Sequence, residues 1–139
     1  MKSSKINNEI VVRLEIGDEI ITSLKRVATE FDIKAAFFSG IGATDVFTCG
    51  VYNLTTRSYK EKEYNGMYEI LSLSGNISVM NYSPYIHAHI AVADEECNCI
   101  GGHLIKARIC ATAEIVIHVI DFELNRKRDE SIGLNLLDI

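Results

Sequence analysis

The sequence predicts one α+β domain, a mainly antiparallel sheet packed against one long helix. Three observations carry that prediction. Only one stretch has a long apolar stripe at helical spacing, most of the remaining apolar runs are short and strand-like, and the links between them are short. The 139 residues suit a single domain, 1–139, with 1–7 and about 126–139 expected to be peripheral or flexible. One proline, Pro84, leaves no proline-rich linker at which to divide it.

Taken in order, Ile10 to Leu14 reads as the first strand, and Gly17-Asp18-Glu19 opens the helix with acidic residues beside its positive dipole end. Ile20, Leu24, Val27, Ala28 and Phe31 form its apolar stripe, and Asp32 ends it. Ala35 to Phe38 is a short run that Ser39-Gly40-Ile41-Gly42 closes as a tight turn, because no helix and no Gly-Lys-Ser/Thr follows to make a phosphate loop. Val46 to Tyr52, Arg57 to Tyr64 and Met67 to Ser74 are further strands, with Asn65-Gly66 as a turn. His87 to Ala93, Ile100 to Cys110 and Glu114 to Phe122 complete the set, and Arg126-Lys127-Arg128 reads as a solvated loop.

The chemistry lies in the histidines. His87 and His89 alternate with apolar neighbours, so they share one face of a strand about 7 Å apart. Asp94 to Asn98 then turns the chain back toward Gly101-Gly102-His103. A hairpin centred at residue 95 or 96 sets His103 opposite His87 or His89 on the same face; a centre half a residue away turns it to the other side. Three neutral imidazoles on one ion suit zinc, and also iron, nickel or copper, and leave a coordination position open. Cys99 is about 13 Å from His103 along an extended strand and cannot share that ion. Cys97-Asn98-Cys99 reads as a turn of small residues, and His118 as structural.

Glu69 is the only charge in its strand and by alternation shares a face with Met67, Leu71 and Leu73. It either pairs with a cation such as Arg13 or serves the metal, as acceptor from a ligand histidine or as the base toward metal-bound water. Glu114 raises the same question more weakly.

Four cysteines at irregular spacings, no export signal and no apolar run long enough to span a membrane point to a cytoplasmic protein with reduced thiols. A net charge of -5 argues against broad attraction to nucleic acid.

The chain resembles the plant and prokaryote conserved (PPC) domain family over nearly its whole length. The resemblance rests on the helix after Gly17-Asp18-Glu19, on Ser39-Gly40-Ile41-Gly42-Ala43, on the segment from Gly66 to Gly75, and on His87-x-His89 with Gly101-Gly102-His103-Leu104. Met67 and Tyr68 stand where the plant motif has arginine and phenylalanine. The resemblance implies an α+β fold, a homotrimer and zinc on His87, His89 and His103. Family descriptions speak of DNA binding, but in the plant proteins a separate Arg-Gly-Arg segment grips the minor groove, and this chain has none. The expectation is a zinc-binding regulatory module, DNA-associated through its family. The alternative is a metal-dependent hydrolase or lyase with Glu69 as base and a small-molecule ligand at the metal.

Overall fold

The computed structural model describes all 139 residues, and its elements follow from where the sequence alternates and where it breaks. Strands β1 (Lys2–Ile6) and β2 (Glu9–Glu15) form a hairpin, and α1 (Ile20–Glu30) follows. Three long strands, β3 (Ala36–Asn53), β4 (Ser58–Met80) and β6 (Cys99–Val119), are joined by β5 (Ser83–Ala93). A small hairpin, β7 (Arg126–Asp129) and β8 (Leu134–Leu137), ends the chain.

The helix is shorter than its sequence suggests, 11 residues. Glu19 is its N-cap and not part of its first turn: the carboxylate accepts hydrogen bonds from the backbone of Ile21 at 3.0 Å and Thr22 at 2.7 Å. The same carboxylate accepts from the Ala107 backbone at 3.2 Å, tying the helix start to β6. Asp32 ends the helix in the left-handed region, at φ 50°. Ile20, Leu24, Val27 and Ala28 are buried, as the stripe requires, against sheet residues such as Ile10, Ile77, Ile90 and Ile115.

Two expected turns are strand interior. Ser39-Gly40-Ile41-Gly42 lies within β3, and Asn65-Gly66 within β4. At both places the register between β3 and β4 shifts, once between Gly40 and Gly42 and once between Thr44 and Val46. Bulges absorb the extra residues, so pairing resumes beyond each break and the strand bends without ending. Arg126-Lys127-Arg128 is likewise no loop, since Arg126 pairs with Leu137 and Arg128 with Asn135.

The sheet runs β1-β2-β6-β3-β4-β5 and then joins β5 back to β6. β3 lies along one side of β6 from Gly50–His103 to Ala36–Val119. The other side of β6 is taken by β5 at residues 99–103 and by β2 at residues 112–118. Strands β3, β4, β5 and β6 therefore close into a ring at one end of the sheet, and the histidines sit on that closure.

Candidate metal centre

The β5–β6 register pairs His89 with His103, which centres the hairpin at residue 96, one of the two positions that send all three histidines to one side. Asp94 fixes this turn: its side chain accepts from the backbone of Glu96 at 3.1 Å and of Asn98 at 2.8 Å. Ala88 and Ile90 point into the core, so His87 and His89 project from the opposite face. One ring nitrogen from each of His87, His89 and His103 lies within 4.8 Å of the others, and the ring centroids are 5.1–5.6 Å apart.

Close backbone approach makes this arrangement possible. A Cβ on Gly75 would lie 2.1 Å from the His87 carbonyl oxygen and 2.6 Å from the Phe38 ring. One on Gly102 would lie 2.8 Å from the Gly50 carbonyl oxygen, so the residue beside His103 must also lack a side chain for β6 to lie against β3.

Burial lowers the pKa of His103 to about 4, with His87 and His89 adding repulsion. The pKa of His87 is lowered first by burial, then by the positive charge of Arg126 and by His89. Both rings are therefore neutral at neutral pH, the form that binds a metal. Nδ1 of His103 is buried and has no hydrogen-bond partner, although buried imidazole nitrogens ordinarily have one. His103 is held on its other side by Tyr59, stacked at 4.7 Å and 26°. His89 is exposed and, with Phe37, Ser74, Asn76 and His87, borders a surface cavity of about 360 Å³. Three converging imidazoles, a buried unpartnered nitrogen and an approach from solvent fit a divalent transition metal with a position left open.

Glu69 is elsewhere. It is exposed and pairs with Ala43 on one side and Ala93 on the other, five positions along β4 from Ser74, the partner of His89. That is about 17 Å of extended strand. The register shift between Ile70 and Ser72 breaks the alternation, leaving Glu69 and Leu71 exposed while Leu73 is buried. Nor does Glu69 meet Arg13, which pairs with Glu15 at 3.0 Å. Glu114 lies across from Arg13 and Ile41, away from the histidines. His118 does have a partner, the Glu9 carboxylate 2.7 Å away across β2–β6.

Two neighbours of the site, Tyr59 and Arg126, escape a reading of the sequence. Tyr59 looks like one aromatic in an alternating edge strand. Arg126 looks like one cation in a solvated basic run, and its only local signal is the apolar Leu134, Leu136 and Leu137 that let the segment fold back as a hairpin.

The sequence model of the Plants and Prokaryotes Conserved (PCC) domain matches residues 1–121. The chain belongs to this family. Among solved structures, it superposes on a candidate DNA-binding protein of Bacteroides thetaiotaomicron with a TM-score of 0.95 at 31% identity, covering 99% of this chain and 96% of that one. It also superposes on a metal-containing protein of Archaeoglobus fulgidus with a TM-score of 0.88 at 30% identity, covering 97% and 96%. A similar stretch occurs in the bifunctional protein GlmU of Synechococcus sp. (strain JA-3-3Ab), 31% identical over 125 residues. That match takes in 88% of this chain but only 19% of the relative. Arg126 and the β7–β8 hairpin lie beyond the matched PCC residues.

Proposed function

We propose that this PCC-domain protein is a zinc-binding homotrimer that acts in the cytoplasm as a binding and regulatory module, with His87, His89 and His103 as the protein ligands of the metal. The observation that carries the reading is the convergence of three ring nitrogens within 4.8 Å, one of the histidines having a buried nitrogen with no other partner. The description of the Archaeoglobus fulgidus relative as metal-containing supports a metal there, without naming which. Zinc prefers four ligands at about 2.0–2.1 Å from nitrogen, so the rings would draw together and leave the fourth place to water or a ligand. Glu69, the carboxylate considered as a base, lies about 17 Å of strand from the histidines, which favours a binding role over hydrolysis by that base within one chain.

Assembly has its own support. Val11, Ile41, Leu71 and Val116 are exposed around one depression of the sheet, an apolar patch suited to a subunit contact. No helix is long and apolar enough to cross a membrane. Association with DNA enters from the descriptions of the Bacteroides thetaiotaomicron relative and of a similar protein of Ralstonia eutropha, and a net charge of -5 argues against broad electrostatic attraction to a duplex.

The test is elemental analysis of protein purified without chelators, beside His103→Ala. The expected result is one zinc per protomer in the wild type and none in the variant. Wild-type protein without stoichiometric metal ends the reading. Sedimentation of the same samples gives the assembly, expected at three times 15.5 kDa. Titration of labelled duplex at two salt concentrations decides the DNA association, which fails if low salt gives no binding.

A further inference from the structure

A cavity of about 320 Å³ opens beside the histidines on the side of the C-terminal hairpin, and it contains a cation with no anion. His87, Tyr59, Tyr85 and Arg126 line one part of it, and Leu134 and Leu137 of β8 another. Arg126 is partly buried and held from three directions. Its Nε donates to Ser78 Oγ at 2.8 Å, Nη1 to the Asn135 carbonyl at 2.6 Å and Nη2 to Asn76 Oδ1 at 2.7 Å, while the guanidinium lies over the Tyr85 ring at 4.7 Å. All of these partners are neutral, and no carboxylate forms an ion pair with it.

A guanidinium has five N–H donors, so the three bonds to protein leave two for something else. Burying a charge without a counter-ion is costly, and this one borders an open cavity instead of being covered by an acidic side chain. Burial depresses the pKa of Arg126, as expected of a charge only partly compensated by its surroundings. A metal ion on the histidines would add a second positive centre beside this cavity, at His87, the one of the three that lines it.

We propose that this cavity binds a small organic carboxylate, its oxygens taken by the free N–H groups of Arg126 and its apolar remainder by the β8 leucines. A planar carboxylate matches the planar fork of arginine, and the leucine wall favours a carbon tail over a bare inorganic anion. The contact with Arg126 stands without a metal. A second contact, from the carboxylate to the open position of the ion, rests on the zinc reading above.

Butyrate and its neutral isostere butyramide, titrated calorimetrically into metal-free and cobalt-loaded protein, test this directly. Butyrate is expected to bind metal-free protein about tenfold or more tightly than butyramide, the margin of a charge-assisted hydrogen bond. In cobalt-loaded protein it should bind tighter still and shift the visible cobalt bands. Arg126→Met should lose that tenfold while keeping its metal content, with thermal melts checking that it folds. Equal binding of butyramide and butyrate, tighter binding of inorganic phosphate than of butyrate, or an unchanged affinity in folded Arg126→Met would overturn the proposal. Protein that takes up no cobalt would sink the metal reading while leaving the butyrate preference of the metal-free form to decide this one.

Discussion

Two strand segments of this protein have chemistry-bearing residues selected by the same alternation rule, and only one of them brings such residues together within a single chain. In β5, His87 and His89 keep their shared face because the pairing with β6 runs without interruption from Ala93–Cys99 to His89–His103. In β4, the register shift after Ile70 breaks the alternation that would link Glu69 to Leu73. The difference teaches where period-2 reasoning holds. It is secure across a short hairpin with a fixed turn, and it fails where a long strand must bend around a closing sheet.

The sharpest way to break the histidine half of this comparison is to remove one of the proposed ligands. His89→Ala should lower metal affinity by more than the roughly 100-fold that loss of an outer-shell partner produces. Competition with a chromophoric chelator measures it, and an affinity within tenfold of the wild type would mean that the ion sits elsewhere. Next in size is Gly75→Ala. Its methyl group would meet both the His87 carbonyl and the Phe38 ring, so β4 and β5 must separate. A cost of about 3 kcal/mol is expected, near the upper end for overpacking, seen as a fall in Tm of about 10 °C. Unaltered melting would mean that the strands do not approach as closely as described.

Protonation perturbs the same half more gently. The folded pKa values of His87 and His103 lie below the ordinary histidine value of 6.5, His103 at about 4. Between those limits the unfolded chain binds more protons than the folded one, so stability rises with pH. Their contribution is complete above pH 6.5 and is lost as pH falls toward 4. Thermal melts of metal-free protein between pH 7.5 and 5 should show this decline, and His103→Gln should reduce it. A variant with the same slope as the wild type would remove His103 from the account.

How much of this was legible before the structure depends on the range over which each signal acts. The α1 stripe and the three histidines are local patterns, readable within a helix or across one hairpin whose turn Asp94 holds. The continuity of β3 and β4 is a long-range property. Gly40 and Gly42, or Asn65 and Gly66, look like turn residues until the neighbouring strands are known to pair on both sides of them. Tyr59 and Arg126 reach the histidines only through tertiary docking, and nothing in an alternating edge strand or a basic run specifies what it will dock against. The PPC resemblance supplied the overall fold, but the family match ends at residue 121, before Arg126.

The smallest expected effect tests the other half of the comparison. If the bulge does separate Glu69 from the centre, Glu69→Gln should leave metal affinity within twofold of the wild type. Stability should change by no more than about 0.5 kcal/mol, because the side chain is exposed and forms none of the ion pairs in the protein. The substitution is nearly isosteric, so a larger change could come only from the charge. A metal affinity that fell tenfold would require the carboxylate to act on the histidines from about 17 Å along the strand, which solvent screening forbids within one chain. It would therefore point to Glu69 of a neighbouring subunit reaching the site, and would make assembly part of the metal centre.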